Sequence, residues 1–370
     1  MIDIMKKILI VVNTLEVGGA ERLVVDQVNC LERGGHEIHI LTLSPRSKPG
    51  FYRDLRFLKG KLLDISANSL SIRGVFLISK VIRQGRYDAV ISHLFLANTL
   101  TRLAKMIAFS KAKMIVYEHN TYEKEKKNRH HLTDFILSFV TYKIIAVSDP
   151  VREYLIRRRI PKNKITVVKN GVSSDFLQKL ISPQEVRRNL GFNERDILIV
   201  SSGNVNPQKG YETLIDAAEV VVKKYSNVHF VVCGSLSGSY ASSLKDFASL
   251  KHLEKNFHFL GPRLDATSIV NCADIFVMTS LWEGLSISLL EALLLGKLII
   301  VSRIPSLTAI IKNDYNGLTS EVGNSQSLAE LITDVISNLS HYDTLGENAK
   351  ATGNRYSIES NVREILSLLN

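Results

Sequence analysis

Short unbroken apolar runs alternate with longer amphipathic stretches along the chain, a pattern that predicts parallel sheets flanked by helices. In the first half the runs that read as strands are Ile8–Val12, Glu37–Leu43, Lys61–Ile65, Ala89–Ser92, Met114–Glu118, Ile144–Ser148 and Ile165–Lys169. After a polar stretch from Ser173 to Arg195 the pattern starts again with Ile197–Ser201. It runs on through His229–Cys233, Phe257–Leu260, Ile275–Thr279, Leu298–Ser302 and Gly317–Ser320. Two doubly wound α/β sheets accommodate these runs better than one. The expected division is a first domain over 1–180, a second over 181–355, and a closing amphipathic helix within 356–370, carried by Ser357–Leu369.

The segment ADIFVMTSLWEGLSISLLEALLLGKLIIV holds the strongest chemical signal. Its strand leads into the polar turn Trp282-Glu283-Gly284, and a helix opens near Ser286. Glu291 then stands among Leu289, Leu290, Ala292 and Leu293. A carboxylate there requires hydrogen bonds, because burying a polar group without them costs roughly 2–7 kcal/mol and a charge costs more. A helix start offers free N–H groups and a positive dipole end, which suit a phosphate. Glu291, about one and a half turns in, is placed to accept from two vicinal hydroxyls such as those of a ribose. Glu283, on the preceding turn, would face whatever the phosphate carries. The plainer reading is a strand–helix unit in which a neighbour caps Glu291.

Glu283 and Glu291 with seven residues between them, after ADIFVMTS and before GKLIIVS, resemble the EX7E motif of the retaining glycosyltransferases of family 4. The similarity runs through nearly the whole chain. It implies the GT-B fold: two Rossmann-like domains, with a C-terminal helix crossing back to the first. It also implies a metal-independent enzyme with no cofactor. Such an enzyme moves a sugar from a nucleotide diphosphate donor to a hydroxyl of a glycan or lipid-linked acceptor. Family members most often build cell-envelope polysaccharide or glycolipid, such as lipopolysaccharide or capsule. In this resemblance Glu283 holds the donor sugar, Glu291 the ribose, and the helix start at Gly284, Leu285 and Ser286 the diphosphate.

Four further sites carry chemistry. Gly18-Gly19-Ala20-Glu21-Arg22 follows the first strand; paired glycines let backbone approach a ligand or simply make a turn. It resembles the family's GGAER segment, whose amides lie near the donor diphosphate; Arg22 is left unassigned. The loop Ser202–Gly210 resembles the family's phosphate loop, with Lys209 and Gly210 matching its Lys-Gly. Family members carry an arginine at the position of Asn204 or of Asn206, and this chain has asparagine at both. Asparagine supplies no charge and no planar fork. Either Lys209 and helix dipoles suffice, or Arg263 substitutes, or activity is weak. His93 and His119 both follow apolar strands, at the carboxyl edge where open α/β sheets bind ligands. His119 matches the family's histidine beside the donor sugar, a hydrogen-bonding role, while His93 and Asn120 read as acceptor-side or packing residues. Asn170-Gly171-Val172 matches an NGV near the family's interdomain hinge, and is equally an ordinary turn dipeptide.

Composition and charge narrow the choice of partners. The 370 residues are 45% hydrophobic and 22% charged, enough for two domains with real cores. Cys30, Cys233 and Cys272 show no C-x-x-C spacing, which argues against a disulfide framework or a zinc site and predicts core thiols. No apolar run approaches the ~18–20 residues of a membrane span. The opening residues to Val12 read as a buried strand rather than a leader. Residues 1–180 carry 31 Lys and Arg against 16 Asp and Glu, whereas residues 181–370 are mildly acidic. The basic runs lack the interleaved aromatics of nucleic-acid binders. They suit an anionic membrane surface or a diphosphate-linked lipid, or else form a solvated face. The basic residues in question are Arg152, Arg157, Arg158, Arg159, Lys162 and Lys164, with Lys124, Lys126, Lys127 and Arg129 in an earlier segment. The resulting expectation is a cytoplasmic enzyme peripheral to the inner face of the plasma membrane, with His119–His131 as a mobile acceptor loop. Two alternatives remain at this level: a non-catalytic nucleotide-sugar-binding subunit, and a nucleotide-sugar 2-epimerase.

Overall fold

The computed structural model describes residues 5–44, 50–55, 60–65, 71–121 and 128–370. They fall into two units, one reaching to Gly171 and completed by Ile358–Asn370, the other Val172–Ser357. In the first, β1 (Lys7–Val12), β2 (Glu37–Thr42), β3 (Leu62–Asp64), β4 (Ala89–His93), β5 (Lys113–Glu118), β6 (Lys143–Ala146) and β7 (Ile165–Val167) form one sheet, ordered β3-β2-β1-β4-β5-β6-β7. In the second, β8 (Ile197–Ser202), β9 (Val228–Cys233), β10 (Phe257–Gly261), β11 (Ile275–Met278), β12 (Leu298–Ser302) and β13 (Leu318–Ser320) are ordered β10-β9-β8-β11-β12-β13. Every neighbouring pair in both sheets is parallel.

Each run read as a strand is a strand. Central parallel strands are covered on both faces, so they are apolar without alternation; Ile8–Val12 and Ile275–Val277 are fully buried. Of the four outermost strands, β3, β7 and β13 have three residues each, shorter than expected, whereas β10 has five. In both sheets the strand order reverses, between β1 and β4 and between β8 and β11. At such a switch point the two flanking loops diverge to opposite faces and leave a crevice beyond the strand ends.

The second unit begins at Val172, where the expected boundary is 180/181. The Val172 amide donates to the Tyr356 carbonyl at 2.9 Å, and Phe176 is buried. The polar stretch beyond it is ordered structure. Ser182 caps the helix Pro183–Leu190, and Arg187 on that helix binds Asp274 at 2.7 Å and the Cys272 carbonyl at 3.0 Å. Polarity there reflects an arginine anchor, not a linker. The helix Ile358–Ser367 belongs to the first unit. Its buried Asn361 donates to the Lys169 carbonyl at 2.7 Å and accepts from Gln27 at 2.9 Å, and Gln27 also donates to the Tyr117 hydroxyl at 3.0 Å.

The cysteines are free thiols; Cys233 and Cys272 are buried and Cys30 half-buried. Among the described residues no helix is long and apolar enough to cross a membrane.

Candidate functional site

In the second unit the loops after β8 and β11 meet at the switch point. Leu281 donates its amide to the Gln208 carbonyl at 2.8 Å, and the Thr279 hydroxyl donates to the Lys209 carbonyl at 2.9 Å. This backbone frame aims three side chains at one carboxylate. Glu283, 7% exposed, accepts from Lys209 Nζ at 2.6 Å, from Gln208 Nε2 at 2.9 Å and from Ser280 Oγ at 2.9 Å. A charge buried this far is tolerable only when paired and fully hydrogen-bonded, and here it is both. Gly203 leaves the space over which Lys209 lies, since a Cβ there would stand 2.8 Å from Lys209 Cε. Gly210 turns the chain at φ +60°, with the Thr279 carbonyl 2.5 Å from where a Cβ would be.

The sequence singled out Lys209 and Glu283 for separate duties; the structure joins them as an ion pair. Sequence reasoning missed Gln208, Ser280 and Gly203. The available signal was a serine three residues before Glu283 and a glutamine beside Lys209. Beyond Gly284 and buried Leu285, Ser286 caps the helix Ile287–Leu294 through its hydroxyl, which accepts from the Leu289 amide at 3.4 Å. One helix-start amide is therefore already engaged. Glu291 is half-buried on that helix, in its second turn.

The two asparagines of the loop differ in setting. Asn204 is exposed and its carbonyl oxygen accepts from the Ser235 amide at 3.3 Å, while Asn206 Oδ1 is buried without a hydrogen-bond partner. Arg263, the suggested substitute for the family arginine, closes on Asp265 with two bonds of 2.7 and 2.6 Å. Its planar fork is filled by its own near neighbour. That bond raises the guanidinium further and lowers the Asp265 carboxyl.

In the first unit, Gly18 precedes the helix Gly19–Arg33 and has no side chain to cap it. The Glu21 carboxylate folds back to where a Cβ of residue 18 would stand, so the helix start already faces an acid. Burial, opposed by a backbone hydrogen bond, pushes Glu21 up from 4.5 to about 7. The folded state thus favours the protonated form, and stability present below pH 4.5 is lost as pH rises through 7. Glu21→Gln should therefore raise the melting temperature at pH 8 and leave it unchanged at pH 4; an equal shift at both would contradict this. Arg22 is ion-paired with Asp26 at 3.4 Å and Asp54 at 3.2 Å.

His93 ends β4 and His119 lies one residue past β5. Their Nδ1 and Nε2 atoms are 3.1 Å apart, and both rings stack with Tyr117 between the strands. Burial pushes His93 well below the usual histidine range, with His119 adding to the effect, and holds His119 at about 4. Asn120 is buried and accepts from the Thr121 amide at 2.8 Å. Of the expected acceptor loop His119–His131, residues 122–127 lie outside the described residues, and Asn128 onward forms the helix Asn128–Ser138. Asp134 on that helix accepts from the buried Arg102 at 2.6 Å, which ties the helix to the one carrying Arg102. Lys124, Lys126 and Lys127 lie outside the described residues.

Comparison with known proteins places these parts in context. Residues 182–352 match the model described as glycosyl transferases group 1, and residues 17–176 that described as Glycosyltransferase Family 4. An Escherichia coli relative, UDP-Gal:alpha-D-GlcNAc-diphosphoundecaprenol alpha-1,3-galactosyltransferase, is 24% identical over 71% of this chain and 70% of its own. A Campylobacter jejuni relative, N,N'-diacetylbacillosaminyl-diphospho-undecaprenol alpha-1,3-N-acetylgalactosaminyltransferase, is 25% identical over 76% of this chain and 77% of its own. Among solved structures, Anabaena HepE in complex with UDP and glucose superposes with a TM-score of 0.84 at 20% identity, covering 98% of each chain.

Proposed function

Because the chain belongs to the glycosyltransferases of family 4 and has the GT-B fold, we propose that it transfers a sugar, with retention and without a metal ion, from a nucleotide diphosphate sugar to a hydroxyl of a lipid-linked glycan. The observation that carries this reading is the Lys209–Glu283 pair, held with Gln208 and Ser280 beyond the ends of β8 and β11. Breaking an anomeric bond to a diphosphate places negative charge on the departing phosphate. A preorganised cation aimed at that charge lowers the barrier. Lys209 is that cation. When the diphosphate occupies it, Glu283 keeps Gln208 and Ser280 as donors and is free to accept from a sugar hydroxyl. Family resemblance adds front-face attack, with the leaving phosphate taking the acceptor's proton. It also gives Glu291 the ribose, Gly18 and Gly19 the diphosphate, and His119 the donor sugar.

A lipid-linked acceptor is supported by the names of the E. coli and C. jejuni relatives, both of which specify diphospho-undecaprenol lipids. A uridine donor is the first to try, since the E. coli relative is named for UDP-galactose. Work at the inner face of an anionic membrane is part of the same proposal. The helix Asn128–Ser138 exposes Leu132 (61%) and Ile136 (56%), and Phe139 (62%) follows just past its end. Lysines surround the end of this stripe: Lys164 bonds the Thr141 carbonyl at 2.8 Å, Lys143 the Asn163 carbonyl at 2.9 Å, and Lys113 stands 4.9 Å over the Tyr142 ring. Arg152, Arg157, Arg159 and Lys162 are exposed as well.

A panel of UDP-, GDP- and ADP-sugars tests the reaction. Slow nucleotide release, and product of unchanged anomeric configuration when acceptor is added, are expected with or without chelator. An altered free sugar would indicate an epimerase, and binding without turnover a binding subunit. Glu291→Ala should weaken donor binding about tenfold or more, as losing hydrogen bonds to a charged acceptor costs about 1.5–3 kcal/mol. Unchanged affinity by calorimetry would remove the ribose assignment.

A further inference from the structure

The stacked ring pair His93 and His119 assigns a role to a residue that touches no substrate, and it rests on the reading of His119 as a donor-side group. His93 is fully buried, and its ring lies 4.4 Å from Tyr117 at 15° and 5.3 Å from His119 at 28°. Tyr117 is itself fixed through its hydroxyl, which accepts from the buried Gln27. The stack therefore holds His93 in one orientation, with Nδ1 facing His119 Nε2 at 3.1 Å.

Two ring nitrogens in such contact share one proton, and both rings are neutral at pH 7 because burial depresses them. If His119 donated, the proton of His93 would sit on Nε2, an atom buried without a hydrogen-bond partner. An unpaired buried N–H is rarely tolerated, whereas an unpaired acceptor is a milder defect. If His93 donates from Nδ1, the partnerless atom is only a bare lone pair. The hydrogen bond at one imidazole nitrogen decides which nitrogen carries the proton.

We infer that His93 is a positioning residue: it donates from Nδ1 to Nε2 of His119 and so fixes His119 with its own proton on Nδ1. His119 then offers a fixed N–H donor to an oxygen of the donor sugar instead of a mixture of tautomers. Conformational freedom is removed before substrate arrives, which is the usual gain from preorganising a donor.

Nitrogen-15 NMR of the histidine rings in the full chain tests this. In the wild type, His119 should show a protonated-type Nδ1 and a bare-type Nε2. His93→Leu should turn this into averaged tautomer shifts, with turnover about tenfold lower and the donor KM little changed, as for loss of one hydrogen bond. His93→Asn keeps a donor near the place of Nδ1 and should restore both the wild-type pattern and turnover. A wild-type spectrum with the proton of His119 on Nε2 overturns the inference, even if His93→Leu does not fold. So does an unchanged His119 spectrum in folded His93→Leu. If the tautomer shifts as expected while His119→Ala retains full turnover, the positioning stands and the donor-side role of His119 falls.

Discussion

Replacing Lys209 with alanine is expected to lower sugar transfer about 100-fold, the usual loss on removing one preorganised group that meets transition-state charge. The same change should cost stability, because it strips Glu283 of its cation while the carboxylate stays 7% exposed. Breaking one side of a buried pair costs about 3–5 kcal/mol, and the partial exposure of Lys209 brings the expectation to the low end. These two losses separate in a second variant. Lys209→Met combined with Glu283→Gln removes both charges together, so the melting temperature should return toward the wild type while transfer stays low. Thermal melting and nucleotide release on the same samples check both. Near-wild-type turnover of Lys209→Ala would remove the lysine from the reaction.

Replacing Leu132, Ile136 and Phe139 together with serine should abolish most binding to anionic vesicles. Inserting each such side chain fully into lipid is worth about 1.5–3 kcal/mol, so partial insertion of three still amounts to tenfold or more. The lysines contribute about 1 kcal/mol each near an anionic surface, an attraction confined to about 8 Å at physiological salt. Wild-type binding in co-sedimentation should therefore need anionic lipid and weaken in high salt. Because all three positions are exposed, the variant should melt as the wild type does. Equal sedimentation of wild type and variant, or equal binding to neutral vesicles, would leave this face as solvated surface.

The strands were legible because parallel strands covered on both faces leave unbroken apolar runs, as in Ile8–Val12 and Ile275–Met278. Lys209 and Glu283 stood out in the sequence because each brings a charge to a loop that follows an apolar strand, whereas Gln208, Ser280 and Gly203 carried no such mark. What the sequence hid was pairing. Lys209 and Glu283 are 74 positions apart, and no local spacing says that one neutralises the other. His93 and His119 meet only because β4 and β5 are adjacent, which depends on strand order. Arg263 looked free because a guanidinium beside Gly261 and Pro262 gives no sign that Asp265 fills its fork. The helix Asn128–Ser138 escaped notice for a different reason: Leu132 and Ile136 are apolar on its outer side, which blurs the one-sided periodicity that marks a helix.

The tie between Asn361, Gln27 and Tyr117 bears on the order in which this protein can fold as it is synthesised. The helix Ile358–Ser367 leaves the ribosome only after all of Val172–Ser357, yet it supplies a buried partner to Gln27 and to the Lys169 carbonyl of the first unit. Until it arrives, the nascent first unit has apolar and polar surface meant for burial open to solvent, including the side of Gln27. The second unit, continuous in sequence, meets no such delay. The buried contacts of the first unit are therefore complete only once the last helix has been made, after the whole of the second unit.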